Sequence, residues 1–316
     1  MCEILIIGAG YMAIEYLKIL DSTIKLFHYK VSVVGNSTKN LDYITNTYNV
    51  TTYCGGIENN IDAVSHITYA IIASPVHLLA EHLELLVNKN IRNILVEKPA
   101  GLNRNQLENI NKIAKEKGIK IYVAYNRRFY NSVITAKKII ENDGGAVLFN
   151  MDISELLHTI DINKYTKDVL NNWLLANTSH VIDLAIYLCG IPIKINNLIK
   201  PGLEWNKNRN AIYAGCGITD KDCLFNYQGN WIGAGRWSLE IFTKNYTLKF
   251  CPLEELQIRF KGTVNYVPIK FPKLFVDNYK PGLCTLVRNF IFDDTDELLT
   301  LESHIQNMKV YDMFNE

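Results

Sequence analysis

From Met1 to about Tyr125, short unbroken apolar runs alternate with segments whose apolar residues recur every three or four positions. The runs Glu3 to Ile7, Lys30 to Val34, Tyr69 to Ala73, Asn93 to Val96 and Lys120 to Ala124 have the length and composition of strands buried on both faces. Between them, Met12 to Leu20, Asn40 to Tyr48, Leu78 to Asn90 and Gln106 to Glu116 each carry an apolar face at helical spacing. Strands alternating with helices in this way predict a parallel, doubly wound α/β sheet. Past Arg128 the rhythm changes. A helix is expected from about Val133 to Glu141, a break at Asp143-Gly144-Gly145, a long strand from Ala146 to Leu156, and a helix from about His180 to Leu188 that stops at Cys189-Gly190-Ile191-Pro192. Ile193 to Ile199, Ala211 to Ile218, Cys223 to Gln228, Trp237 to Thr243, Tyr246 to Phe250, Leu256 to Phe260 and Val264 to Ile269 then read as strands, and helical patterns over about Gly282 to Phe292 and Glu297 to Phe314 close the chain. The expectation is two domains joined directly near residues 122 to 128: a doubly wound α/β domain over 1-122, and an α+β domain over 123-316 with an open, mainly antiparallel sheet.

Composition narrows the class of function. A length of 316 residues suits two domains, and 48% hydrophobic against 21% charged residues suits a sizeable core. Lys plus Arg (33) nearly balance Asp plus Glu (32), so no basic field is available to recruit nucleic acid or anionic lipid. The longest apolar runs, such as Ala70 to Ser74 and Ile182 to Leu188, fall short of the roughly 20 residues of a membrane helix. With no basic segment ahead of an apolar stretch at the N-terminus, a cytoplasmic location is expected. Seven cysteines (Cys2, Cys54, Cys189, Cys216, Cys223, Cys251, Cys284) are odd in number and never form CxxC, which reads as reduced thiols in the core. His28, His66, His82, His158 and His304 show no metal-ligand spacing and read as satisfied structural groups, so no metal is expected. Trp231, Trp237, Tyr213 and Tyr227 read as sheet packing more readily than as a sugar platform, and Gly229 to Arg236 as a turn or bulge.

Five places carry chemistry. Gly8-Ala9-Gly10-Tyr11-Met12-Ala13 follows the first strand and opens the first helix, so its glycines would let a pyrophosphate approach the helix N-terminus. The second strand ends in Gly35-Asn36-Ser37-Thr38-Lys39, where a carboxylate for a ribose 2′-OH is missing. Hydroxyls, an amide and an ammonium there suit a 2′-phosphate, which favours NADP(H) while NAD(H) stays admissible. Ser74-Pro75 follows Ala73 at the end of the third apolar run, and Glu97-Lys98-Pro99 follows the fourth, both at carboxyl ends of parallel strands where ligands bind. A partly desolvated Lys98 could polarise a carbonyl or stabilise an alkoxide. His180 and Asp183, three apart at a helix start, can share one face.

Taken in order, the GAGYMA turn, Ser74-Pro75, Glu97-Lys98-Pro99, Asn126-Arg127-Arg128-Phe129 and Ser179-His180-Val181-Ile182-Asp183 resemble the Gfo/Idh/MocA oxidoreductases over essentially the whole chain. The resemblance implies an N-terminal Rossmann domain that binds NAD(P), and a C-terminal sheet that forms the substrate wall and a homo-oligomer interface, as dimer or tetramer. It also implies a small-molecule substrate among sugars, cyclitols and their derivatives, nucleotide sugars of polysaccharide biosynthesis included. It makes Lys98 and His180 the catalytic pair, brought together at one nicotinamide, and Arg127 and Asp183 substrate ligands. Gly8, Gly10, Tyr11, Met12, Asn36 to Lys39, Ala73, Ser74, Pro75, Glu97, Lys98 and Asn126 become the cofactor site.

Two departures stand out. Relatives often place an Asp four residues before the histidine, and Ala176 stands here, followed by Asn177, whose amide could bind substrate but cannot take a proton. Leu79 stands where relatives often have His, with His77 nearby. The implied function is an NADP(H)-dependent oxidoreductase acting on CH–OH groups. The alternatives are an imine or enone reductase on the same scaffold, which the missing carboxylate would hamper less, or a non-catalytic NAD(P)-binding regulator.

Overall fold

The structure, a computed structural model, describes residues 3–27, 29–64, 67–272 and 275–315; Cys2, His28 and His66 lie outside them. In chain order the strands and helices are β1 (Glu3–Ile7), α1 (Tyr11–Phe27), β2 (Lys30–Gly35), α2 (Thr38–Thr47), β3 (Thr51–Cys54), α3 (Ile57–Asn60), β4 (Tyr69–Ile72), α4 (Leu79–Asn88), β5 (Asn93–Glu97), α5 (Arg104–Glu116) and β6 (Lys120–Ala124). They continue as α6 (Asn131–Asn142), β7 (Leu148–Asp152), α7 (Lys167–Asn171), α8 (Ser179–Cys189), β8 (Pro192–Pro201), β9 (Asn210–Thr219), β10 (Leu224–Asn230), β11 (Ser238–Phe242), β12 (Tyr246–Phe250), β13 (Gln257–Phe260), β14 (Val267–Pro268), α9 (Leu283–Ile291), β15 (Leu299–Thr300) and α10 (Leu301–Met313). No described helix is long and apolar enough to cross a membrane.

The chain forms two compact units, Met1–Tyr125 with Phe275–Ile305, and Asn126–Leu274 with Gln306–Glu316. The first is a Rossmann-type unit. Its sheet runs β15-β6-β5-β4-β1-β2-β3, with β1 to β6 parallel and β15 antiparallel on β6. The order reverses between β1 and β4, the switch point at which open α/β sheets bind ligands beyond the strands' carboxyl ends. Residues 275–305, which the sequence rhythm leaves with the second domain, join this unit for a packing reason. Leu299 and Thr300 pair with Val123 and Tyr122 at the sheet edge, and Phe290 of α9 meets Tyr69 and Tyr122 edge-on, at 5.4 and 6.2 Å between ring centroids.

The second unit is built on an eight-stranded sheet, β14-β13-β12-β11-β7-β10-β9-β8, antiparallel throughout except where β7 and β10 run parallel. One face carries Phe149, Met151, Phe225, Tyr227, Leu239 and Ile241, all buried, with Phe149 and Phe225 stacked at 4.9 Å. The opposite face shows Leu198, Ala214, Cys216, Leu224, Asn226 and Gln228 to solvent. β7 stops at Asp152, four residues before the expected end, because the Asp152 carboxylate accepts the Ser154 backbone N–H (2.8 Å) and turns the chain. The run Val264 to Ile269 keeps only two paired residues, and Pro268 among them has no N–H to give a ladder. The cysteines also differ from expectation. The described ones are free thiols, but only Cys189 and Cys223 are buried, while Cys54, Cys216 and Cys251 are exposed, Cys54 at the tip of a strand and Cys216 on the open face of the sheet.

Phe290 is fully buried where α9 closes on the first sheet. Replacing it with Ala is expected to cost about 3–5 kcal/mol, read as a lowered denaturant midpoint with an unchanged slope in equilibrium unfolding.

Candidate functional site

In the first unit the strand ends are tied together by backbone. Gly8 N–H donates to Val34 O and Ala73 N–H to Ile7 O, both at 2.8 Å. Gly8 has φ +116°, and a Cβ there would stand 2.6 Å from the Ala73 carbonyl oxygen, so the turn admits only glycine. At Gly10 the reason differs: a Cβ would meet nothing within 4 Å, so the missing side chain leaves room for a ligand against the start of α1. Tyr11 is exposed, Met12 is part-buried and no acidic residue stands in the first turn, so the unpaired N–H groups there are open to an anion. These features fit the diphosphate of a dinucleotide.

Asn36, Ser37, Thr38 and Lys39 are all exposed at the end of β2. Ser37 caps α2, its hydroxyl accepting the Asn40 N–H, and the Asn40 side chain donates to Ala9 O at 2.9 Å, which pins this polar loop to the glycine turn. No carboxylate lies within the loop.

Ser74 lies beyond β4, with Pro75 exposed beside it. Its Oγ is 2.8 Å from Nδ1 of His82 on α4, whose Nε2 is 3.0 Å from Oε1 of Glu58 on α3. Burial outweighs the Glu58 charge and holds the His82 pKa below its ordinary value. A neutral ring facing a carboxylate carries its proton on Nε2, so Nδ1 accepts from Ser74. Ser74 thus spends its proton inward and presents lone pairs outward.

Beyond β5, the Lys98-Pro99 peptide is cis and Ala100 has φ +65°. Nε2 of the buried His304, on α10, lies 2.8 Å from Pro99 O and supports this turn from below. Tyr16 OH donates to Oε1 of Glu97 at 2.7 Å. Burial raises the Glu97 carboxyl, opposed by the Tyr16 hydrogen bond and then by the Lys98 and Lys280 charges; Tyr16 itself is raised well above its usual value by burial and then by Glu97. Lys280 also sits over the Tyr11 ring, 5.0 Å from its centroid. The first unit therefore brings the residues expected at the cofactor, apart from Asn126, to the carboxyl ends of neighbouring strands, with Lys98 half-buried among them.

In the second unit, Asn126 and Arg128 are buried in the short helical turn Asn126–Phe129, with Arg127 part-buried. The neighbouring arginines divide their work. Arg128 forms a two-pronged pair with Asp183, Nε to Oδ2 at 2.9 Å and Nη2 to Oδ1 at 2.7 Å, with 8% and 1% of the side chains exposed. Asp183, expected as a substrate-hydroxyl ligand, is thus the buried counter-charge of Arg128. Arg127 lies over Trp237 at 5.1 Å, Arg236 over the same ring at 4.4 Å, and the buried His180 ring is 6.0 Å from it. Trp237, read from sequence as packing, is what His180 and Arg127 share.

Ahead of His180 the backbone makes a π turn over Leu174–Thr178, a feature common at functional sites. Ala176 is buried there, and Asn177 and Thr178 turn to a residue the motifs missed. Glu155, 1% exposed, accepts from Asn177 Nδ2 at 3.1 and 3.0 Å and from the Thr178 hydroxyl. Its only signal in the sequence is a carboxylate between Ile153-Ser154 and Leu156-Leu157, just past a strand end. Among the described residues no three His, Cys, Asp or Glu side chains could hold a metal ion.

Removing the charge at Asp183 leaves Arg128 buried and unpaired. Asp183→Asn is expected to cost about 3–5 kcal/mol in urea unfolding, and a loss within a few tenths would show that the pair is not held as described.

Comparison with known proteins agrees with this layout. Over 136 residues the chain is 27% identical to scyllo-inositol 2-dehydrogenase (NADP(+)) IolW of Bacillus subtilis (strain 168), a match spanning 40% of this chain and 36% of that protein. Levoglucosan dehydrogenase in complex with NADH superposes with a TM-score of 0.78 at 17% identity, over 99% of this chain and 95% of the other. UDP-N-acetylglucosamine 3-dehydrogenase GnnA from Acidithiobacillus ferrooxidans does so at 0.75 and 11%, over 99% and 96%. At such identities the structural matches speak to fold. Residues 2–125 match the sequence model described as the oxidoreductase family with an NAD-binding Rossmann fold, GFO_IDH_MocA, so this stretch is similar to the nucleotide-binding domain of those oxidoreductases.

Proposed function

We propose that the protein is an NADP(H)-dependent oxidoreductase acting on a CH–OH group of a sugar, a cyclitol or a sugar derivative. The observation that carries this reading is the half-buried Lys98 at the end of β5, in the same unit and at the same edge of the sheet as the open glycine turn. The relatives named above act by name on scyllo-inositol, levoglucosan and UDP-N-acetylglucosamine, which share a ring bearing secondary alcohols. A nucleotide sugar of polysaccharide biosynthesis is the narrower form of the proposal. Self-association through the open sheet face, where Leu198 is 81% exposed, belongs with it.

The bound cofactor supplies a hydride acceptor or donor at its nicotinamide. The chain does the rest. Gly8 and Gly10 let backbone approach the diphosphate, and the first N–H groups of α1 bind it. Ser37, Thr38 and Lys39 take a 2′-phosphate by hydroxyl donation and charge. Ser74 accepts a donor from the cofactor, because its own proton is held by His82. In the oxidative direction, a ring nitrogen of His180 takes the hydroxyl proton and Nζ of Lys98 stabilises the developing alkoxide; reduction reverses both. Arg127, stacked on Trp237, binds substrate oxygen. Asp183 acts indirectly, as the charge that holds Arg128 beneath α8.

Turnover of NADP(H) and NAD(H) over a panel of inositols, anhydrosugars and UDP-sugars tests the assignment. Lys98→Met and His180→Ala are each expected to lower kcat/KM by roughly 10²–10⁴-fold. A substrate handled equally well by both variants and the parent would overturn the roles, and oxidation of NADPH by imines without any sugar turnover would move the reaction to C=N bonds. Lys39→Glu is expected to weaken NADP(H) binding by about ten- to a hundredfold while sparing NAD(H), read by fluorescence titration of the reduced cofactors. Equal losses for both cofactors would remove Lys39 from the 2′-phosphate site.

A further inference from the structure

We propose that Glu155 locks the Asn177 amide in one orientation, so that Asn177 offers its substrate an acceptor only and selects a ligand with a free hydroxyl at that position over one with an ether or carbonyl oxygen. The inference rests on the function proposed above and narrows its substrate.

An asparagine side chain can present either a donor or an acceptor, and a half-buried one ordinarily turns to suit its ligand. Asn177 cannot. Its Nδ2 lies 3.1 and 3.0 Å from the two oxygens of Glu155, and a carboxylate only accepts. Turning the amide over would set Oδ1 against both oxygens and leave a buried negative charge short of a donor, at a cost of several-fold to hundredfold in population. Glu155 is itself held: it is 1% exposed and accepts from the Thr178 hydroxyl as well. Meanwhile Asn177 is only part-buried, and its Oδ1 takes no hydrogen bond from any described residue. The result is a single outward acceptor, polarised by the charge behind it, three residues ahead of His180.

The arrangement also gives Ala176 a context. A carboxylate is present in this part of the fold, but it comes from the segment after β7 and stands behind an amide, so what reaches the ligand is a neutral acceptor and not a base. Glu155 is therefore a positioning residue and Asn177 the group that touches substrate.

Two measurements on the full chain decide the matter. The first needs no ligand. In the ¹⁵N-labelled protein, the Asn177 side-chain amide, assigned by its absence from Asn177→Leu, is expected to hold a proton that exchanges slowly with water. Glu155→Met, which keeps the volume and removes the acceptor, is expected to speed that exchange at least tenfold. Glu155→Gln keeps one acceptor oxygen, should fall between, and decides the question if the Met variant does not fold. Unchanged exchange overturns the proposal whatever the activity.

The second measurement uses NADP⁺ reduction with levoglucosan, scyllo-inositol and UDP-N-acetylglucosamine, each beside its mono-O-methyl ethers. The parent is expected to reject one ether of the best substrate by about tenfold or more in kcat/KM. Asn177→Leu should abolish that rejection, mainly through a raised KM for the parent alcohol. The Glu155 variants should shrink it, because a freed amide can donate to the ether oxygen. Faster exchange with undiminished rejection would overturn the hydroxyl assignment. Absence of turnover by the parent on all three alcohols would count against the proposed function, and the exchange result would then judge the Glu155–Asn177 lock alone.

Discussion

Beyond β1 the backbone passes so close to the Ala73 carbonyl that a side chain at Gly8 is impossible, and the geometry of the first unit's ligand edge hangs from that approach. It joins the ends of β1 and β4 at the point where the strand order reverses, and Gly8 N–H reaches across to β2 as well. The start of α1, the polar loop pinned through Asn40 and the hydroxyl of Ser74 are all placed relative to that contact. The groups around it are oriented by partners one layer deeper. His82 and Glu58 settle where the Ser74 proton goes, Tyr16 holds Glu97, and His304 supports the carbonyl of Pro99. Such supporting shells hold polar groups within the narrow tolerances that ligand chemistry needs.

The second unit relies on charge taken out of water. Burying Arg128 with Asp183 gains little net stability over an apolar pair of the same size, because desolvation offsets most of the attraction. What the pair supplies is position: the fork of a guanidinium accepts a carboxylate in one plane, which fixes the Asn126–Phe129 turn against the start of α8. Glu155 plays the same part for the π turn. Both carboxylates are buried and held by donors within their own unit.

Much of this was legible in the sequence because burial on both faces leaves a strong signal. All five apolar runs of the first 125 residues are strands, and the helices between them lie where their spacing put them. Two strands escaped. Thr51–Cys54 is polar and half-exposed at an edge, and Leu299–Thr300 is too short to carry a period. The glycine turn and Glu97-Lys98-Pro99 were readable because the chemistry lies in contiguous residues. His82 and His304 were legible as satisfied structural groups, but their partners, and Glu155 altogether, were not, since each acts through a residue far along the chain, 22 to 205 residues away. The division of labour between Arg127 and Arg128 was equally hidden: adjacent, identical side chains point to different partners, one to a tryptophan ring and one to a carboxylate.

The edge strand of the first sheet is made of residues 299 and 300, and the helix before it closes over Tyr69 and Tyr122. During translation, then, the nucleotide-binding half leaves the ribosome with β6 as an uncapped margin and an aromatic patch bare, and it stays so until residues 283–300 have been made. Cutting the gene after residue 125 would yield that unfinished intermediate and not an autonomous module. The order of synthesis and the order of completion are reversed here: the first sheet is sealed only after every strand of the second has been made.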